Sequence, residues 1–378
     1  MRKVALIIGV LAIAVPGLLY LRWDWQTRAL ANALLTDVTA TRQLIIARRP
    51  PPRAPVHDNG FQCLGAMLEV TPADFSPFYG NGTLNAFITG QKPISELPSE
   101  VHERMLQLSP WAASLRACGE SMKLGYVDGV VPWAAAQHPR QLRLADAIPA
   151  LIEFTALELR VLLGDKQPEV ALERCSATWA MVADQSHLGL TGAMNARMAV
   201  RRLAPACGEA LAAVPPDVRA QLAAQWAPLR NRLALPHEGL ELERLNTSVL
   251  VFAWLADEVV RAQLPASTPP GDGDLKRRLG AGRQWRAFDE SMRRLIAVAD
   301  TPGPERVSAG AAAAGPVGSQ VPYVKFVTAY EETFLLLDLL ADLAAGGSKP
   351  LPPGVTKTEQ GLEFVNTDGQ KLLIPVRE

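Results

Sequence analysis

LRLADAIPALIEFTALELRVLLGDKQPEVALERCSATWAMVADQSHLGLTGAMNARMAVRRLAPACGEALAA, residues 142–213, is the stretch that decides the fold. Its apolar residues recur at three- and four-residue steps, the period of a helix that buries one face. Two corners interrupt it, Gly164-Asp165 and His187-Leu188-Gly189, so it reads as helices over 142–163, 169–185 and 191–213. Short corners between long helices bring consecutive helices side by side in opposite directions. Beyond residue 213, Pro215-Pro216-Asp217 opens another helix over 216–232, with proline at a first position where its missing N–H costs nothing. A further helix is expected over 238–262. The fold class is therefore mainly α, an antiparallel helical bundle, with a short α-solenoid as the alternative; no fixed-period repeat of the tetratricopeptide kind is present, which favours the bundle.

Composition agrees with this reading. Ala, Leu and Arg dominate and aromatic residues are few, which suits helices packed through small and aliphatic side chains better than a β-sandwich. Lys plus Arg equals Asp plus Glu, 38 each, so no overall field draws the chain onto nucleic acid, and no nucleic-acid partner is expected.

Toward the N-terminus, residues 61–139 are irregular, with short helices expected over 100–108 and 110–122. Residues 48–60 (RRPPPRAPVHDNG) read as an extended Pro-rich linker, and 22–47 as a helical stalk. Residues 4–21 (VALIIGVLAIAVPGLLYL) carry no charge and match the length needed to cross a hydrocarbon core of about 30 Å. Arg2 and Lys3 precede this run as a cytoplasmic head, residues 1–3; Tyr20, Arg22, Trp23 and Trp25 close it, the composition of a membrane interface. The competing reading, a cleaved signal peptide cut near Ala12-Ile13-Ala14, places the cut too early for a peptide of about 15–30 residues. An uncleaved anchor in the inner membrane is expected, single-pass, with the bulk of the chain facing the periplasm or cell exterior.

Toward the C-terminus, the helical domain (61–345) includes two Gly/Pro/Ala-rich loops expected to be mobile, 264–274 and 301–319, with helices over 283–299 and 321–345. The period then changes. Residues 355–358, 362–365 and 371–376 alternate as strands around Asp368-Gly369, a small β-meander within 346–378.

The four cysteines, Cys63, Cys118, Cys175 and Cys207, lack the CxxC spacing of zinc or redox sites. Cys175 and Cys207 fall on the two arms of the helix pair around Gly189 and can bond, leaving Cys63 with Cys118 by elimination; buried free thiols are the alternative.

Candidate chemistry is sparse. His237 and Glu241 share a helix face with Glu238 beside them, in PHEGLELERL, which resembles a zinc-peptidase helix only in part: Glu241 stands where that pattern has its second His. The ordinary reading is an acidic first turn at the positive end of a helix. Asp184 and His187, three apart at a corner, suggest an acid/base group with Arg197 or Arg201 approaching from the return helix, or a helix cap. Glu153 and Glu158 lie in apolar helix; Glu153 requires a partner such as Arg160 or Arg143. Lys276, Arg277, Arg278, Arg283, Arg286, Arg293 and Arg294 form the densest basic run, suited to anionic headgroups or an acidic partner, or simply a solvated face. No GxGxxG, P-loop or GxSxG motif is present, and neither cofactor nor metal is expected.

In outline the layout is similar to bacterial envelope proteins with an anchor and a helical domain, a likeness that implies no activity. The expected function is a membrane-anchored, non-catalytic helical domain that binds or scaffolds envelope components and has a protein partner there; the alternative is a membrane-attached hydrolase.

Overall fold

The computed structural model describes residues 12–26, 28–30, 32, 33, 36, 40, 74–120, 138–187, 189–244, 274–301, 321–366, 369 and 371–376. Its helices are α1 (Gly82–Ile88), α2 (Ser99–Glu120), α3 (His138–Gly164), α4 (Pro168–Gln185), α5 (Leu190–Ala213), α6 (Pro216–Trp226), α7 (Leu229–Arg232), α8 (Asp274–Val298) and α9 (Val321–Ala344). Residues 12–26 and 236–244 are helical as well. Strands β1 (Val355–Thr358), β2 (Gly361–Val365) and β3 (Lys371–Ile374) form an antiparallel sheet in the order β1-β2-β3, Val355 facing Phe364 and Leu362 facing Ile374. The protein is thus mainly helical with a small three-stranded sheet at its C-terminus.

The chain divides into two compact units, Met1–Pro50 with Glu241–Arg294, and Pro51–Leu240 with Leu295–Glu378. In the second, α3, α4 and α5 form the centre. Leu151, Ile152, Phe154 and Leu157 of α3 are fully enclosed, as are Leu172, Trp179 and Val182 of α4. α5 turns Ala193, Ala196, Ala199, Leu203, Ala204 and Ala210 inward, a stripe of small residues that lets its neighbours approach closely. Cys175 and Cys207 are joined by a disulfide with Cα atoms 6.2 Å apart, tying α4 to α5. Phe75 and Phe78 set their rings edge-on to Phe154, and Trp226 of α6 does the same to Trp179 at 4.8 Å while its Nε1–H donates to Ser176 Oγ at 2.8 Å.

Local signals fix the helix ends. Pro168 and Pro216 occupy first helical positions, with Glu169 and Asp217 in the first turns, and Asn81 caps α1 by accepting from the Thr83 N–H. Gly189 precedes α5 with φ 84°, a conformation closed to most side chains, and so sets the α4–α5 corner. The sheet docks on α5 where Gly208 faces Ile374, so closely that a Cβ at Gly208 would overlap the Ile374 side chain.

Two expectations are corrected. The helices expected over 100–108 and 110–122 are one, α2, running through Pro110. Proline removes one hydrogen bond at a cost of about 3 kcal/mol, but Leu108, Ala112 and Leu115 on either side of it are buried in the same core and hold both halves in line. Conversely, the helix expected over 216–232 is two, because Pro228 lacks the N–H that would continue α6 beyond Ala227.

Among the described residues no helix is long and apolar enough to cross a membrane. Of the span expected over 4–21, residues 4–11 lie outside the described residues. The same holds for the head 1–3, for most of the stalk beyond residue 26, for the linker 48–60 with 61–73, for the loops 264–273 and 302–319, and for 245–262 of the helix expected to end there.

Candidate functional site

Asp184, His187 and Glu238, from two of the groups singled out as chemistry, meet at the α4–α5 corner, in an arrangement best built from α4 outward. α4 ends at Gln185, and Ser186 caps it, wholly buried; its Oγ donates to Ala183 O at 2.6 Å and accepts from the Ala234 N–H at 2.7 Å. Asp184, two residues back, is gripped by Arg232 from the end of α7, Nε to Oδ1 at 3.1 Å and Nη2 to Oδ2 at 2.6 Å, the two-pronged geometry that guanidinium and carboxylate favour. The arginine expected there is Arg197 or Arg201 of α5; Arg197 instead donates to Ala329 O of α9 at 3.1 Å and lies beside Glu332, and the grip on Asp184 comes from Arg232.

His187 bridges the two segments. Its Nε2 lies 2.8 Å from Arg232 O; a carbonyl only accepts, so Nε2–H donates to it, while Nδ1 faces Glu238 Oε2 at 3.5 Å. The histidine therefore caps α7 rather than its own helix. Glu238 occupies the third position of the helix 236–244 and accepts from the Leu235 N–H at 2.9 Å, one half of a capping box. His237, expected to act with Glu241, pairs instead with Asp300 through Nδ1, and its backbone N–H donates to the other oxygen of that carboxylate at 3.3 Å. Tyr330 of α9 closes the corner from behind, wholly buried, its hydroxyl donating to Ala234 O at 3.0 Å.

The electrostatics are those of a clasp. Burial resists ionisation of Glu238, but the His187 hydrogen bond and charge, the Leu235 N–H and His237 outweigh it, and the carboxyl lies below its ordinary value. Asp184 goes the other way: burial raises it, and Arg232 and His187 only partly compensate. Burial also lifts the Tyr330 phenol far above its usual range, against the Ser186 hydrogen bond and with help from the Glu238 charge, so it stays protonated. Among the described residues no group of three or more His, Cys, Asp or Glu side chains is placed to hold a metal ion.

A second polar cluster lies between α2, α3 and α4. Arg116, 1% exposed, points Nη1 at Glu158 Oε2 (2.9 Å) and Thr155 Oγ1 (3.0 Å); Ser109 Oγ donates to Glu158 Oε1 at 2.8 Å, with Arg174 Nε at 3.9 Å. Burial pulls the Arg116 guanidinium below its ordinary value, against the attraction of Glu158. Glu153 is bound by Arg202 at 2.9 Å and not by Arg160, which bonds Glu209 and Ile88 O; the Arg143 side chain lies outside the described residues. Burial raises the Glu153 carboxyl, and Arg202 opposes it.

Of the remaining candidates, Cys175 and Cys207 are bonded; Cys63 and the Cys118 side chain lie outside the described residues. Glu241 is half-buried in the helix 236–244. All seven basic-run residues fall on α8, where Arg286, Arg293 and Arg294 are exposed; the side chains of Lys276, Arg277, Arg278 and Arg283 lie outside the described residues. Arg232, Ser186, Tyr330 and Asp300 complete the corner and carry no motif in the sequence. Arg232 alone had a signal, an arginine in the last turn of a helix. Comparison with protein-family models, curated proteins and solved structures finds no match.

Proposed function

We propose that this chain is a membrane-tethered, non-catalytic helical domain, an antiparallel bundle that binds or scaffolds components of the cell envelope. The observation that carries this reading is the saturation of the corner: Asp184, His187, Glu238 and His237 are each held by another side chain or by backbone, in the pattern of caps and ion pairs that fasten one segment to another. A catalytic acid or base needs a hydrogen-bonding position directed at substrate. The tether is residues 4–21 in the inner membrane, with the domain outside the cytoplasm; the Cys175–Cys207 disulfide supports an oxidising compartment, and the exposed Ile13, Leu18, Leu19 and Leu21 support lipid around that segment.

In-cell photo-cross-linking of the full chain tests the reading. The expected result is a discrete adduct with an envelope protein that disappears when residues 4–21 are deleted. Labelling of the chain by a broad hydrolase probe, lost in His187→Ala without loss of folding, would overturn it in favour of a membrane-attached hydrolase. The observation favouring that second reading is the meeting of His187, Glu238 and Asp184 at one corner.

A further inference from the structure

The polar groups of the corner hold one another; those between α2, α3 and α4 are left with charge and donors unmatched. Glu158 is the one carboxylate that Arg116 and Arg174 share, and among the described residues neither arginine has a second acidic partner. Arg116 takes Oε2 at 2.9 Å and reaches Oε1 at 3.5 Å, while Ser109 holds Oε1 at 2.8 Å. Arg174 Nε stands off from that same oxygen at 3.9 Å, beyond hydrogen-bond range. Two guanidinium groups, neither of which gives up its proton, thus face one carboxylate and leave one positive charge over. The imbalance reaches Arg116 itself: burial and the Arg174 charge both draw its guanidinium below the ordinary value, and Glu158 opposes them.

Donors are left over as well. Arg116 is 1% exposed, and its Nε, like the Nε of Arg174, is out of water with no hydrogen-bond partner. Thr178, wholly buried and one turn beyond Arg174 on the same face of α4, carries a third unfilled group, its hydroxyl. A helical hydroxyl can return to the carbonyl four residues back, as Thr155 does to Leu151 and Ser176 to Leu172; Thr178 does not. A hydrogen bond left unmade inside a protein costs the full desolvation of the group, and more where the group is charged.

Water and an anion are the two kinds of ligand that fit such donors, and charge decides between them. Gln185, further along α4, is also buried with both amide atoms unpartnered, but it is neutral, and a bound water suits a group of that kind. At Arg116 and Arg174 water would supply acceptors and leave the surplus charge in place; an anion supplies acceptors and removes the surplus. The anion is singly charged because the surplus is one. It is small because Arg116 and Thr178 are sealed, and the way in lies along Arg174, whose side chain is 33% exposed.

We infer that Arg116, Arg174 and Thr178 form a binding site for a halide-sized monovalent anion such as chloride, which offsets the charge that Glu158 leaves over and pins α4 against α2 and α3. The site is independent of the tether.

Its test is urea unfolding of the full chain at fixed ionic strength, with sodium chloride replacing sodium gluconate, whose anion is too large for a sealed site. The midpoint should rise with chloride and, past half-saturation, by an equal step for each tenfold increase, as for a ligand that binds only the folded chain. Arg174→Gln removes the surplus charge and leaves Arg116 on Glu158; it should lose the chloride response and, in gluconate alone, be no less stable than the parent. Thr178→Val, equal in shape, should keep a response and need several-fold more chloride to reach half of it. General salt effects act on all three proteins alike, so the quantity read is the difference between parent and variant. No response in the parent, or one of the same size in Arg174→Gln, overturns the site. Lower stability of Arg174→Gln in gluconate overturns it too, since Arg174 would then be a required partner of Glu158 with no charge left over. Unchanged half-saturation in Thr178→Val overturns the place of the hydroxyl in it.

Discussion

The two polar clusters of the larger unit are built from the same kinds of group and hold the fold in different ways. Arg116 and Glu158 are sealed among α2, α3 and α4, with Thr155 accepting from Arg116, Ser109 donating to Glu158, and Arg116 Nε buried without a hydrogen-bond partner. The Asp184–Arg232 and His187–Glu238 pairs lie at a corner where Arg232 is 38% and Glu238 26% exposed. Removing one partner from the first leaves a charge stranded in a low dielectric; removing one from the second leaves a charge that water can reach. The same chemistry is therefore a fixed strut in one place and an adjustable clasp in the other, and burial alone makes the difference.

The largest expected effect comes from breaking the strut. Arg116→Met should destabilise by about 3–5 kcal/mol in a urea titration, because Glu158 is left buried without its cation. The double substitution Arg116→Met/Glu158→Met should recover most of that loss, since well-packed apolar side chains of similar volume often replace a buried pair without penalty. A double variant no better than the single would show that Thr155 and Ser109, and not the charge, set the cost.

Next in size is the link between the regions. α4 carries Arg174 beside the strut and Asp184 in the clasp, and Cys175 ties it to α5. Reduction of the disulfide, or Cys175→Ala/Cys207→Ala, should cost about 2–4 kcal/mol by releasing a loop of about thirty residues in the unfolded chain. A calorimetric scan with and without reductant checks this, and an unchanged melting temperature would mean that packing of Trp179 and Val182 already holds α4.

These struts were unequally legible in the sequence. The helices between residues 142 and 213, the start of the next at Pro216 and the C-terminal strands follow from period, from Pro216 and Gly189, and from alternation, all of which are local. The continuity of α2 through Pro110 was not, because the penalty of proline is local and the burial of Leu108, Ala112 and Leu115 that overrides it is tertiary. At the corner, Asp184 with His187 and His237 with Glu238 were visible as two separate groups. Their meeting was not, since it depends on how Pro228 stops α6 and turns Arg232 back onto Asp184, 48 residues upstream. Arg116 gave least warning: one arginine in an amphipathic helix reads as surface until the packing encloses it.

The clasp should yield less than either. Arg232→Met removes both prongs to Asp184 and should cost about 1–2 kcal/mol, the range for hydrogen bonds to a charged group that water partly reaches. The same substitution leaves His187 on the Arg232 backbone carbonyl, so hydrogen exchange should quicken around Asp184 before it does around Glu238. Equal loss at both would mean that the two pairs open together.

The smallest effect separates the two carboxylates of the clasp by sign. Glu238 is held below its ordinary value of 4.5, so its contribution is complete above about pH 4.5 and is lost as pH falls through the lower folded value. Asp184 is raised above 3.8 by burial, so the folded state is penalised above that raised value and the penalty is relieved as pH falls through it toward 3.8. Glu238→Gln should therefore be less stable than the parent at neutral pH, with the gap closing as pH falls through the lowered folded value. Asp184→Asn should behave oppositely: its deficit widens as pH falls, because the parent alone gains from protonation. Urea midpoints of the three proteins from pH 7 to about 3.5 give both slopes in one series. Parallel curves would show that the corner carries no proton-linked energy, and the clasp would then be no more adjustable than the strut.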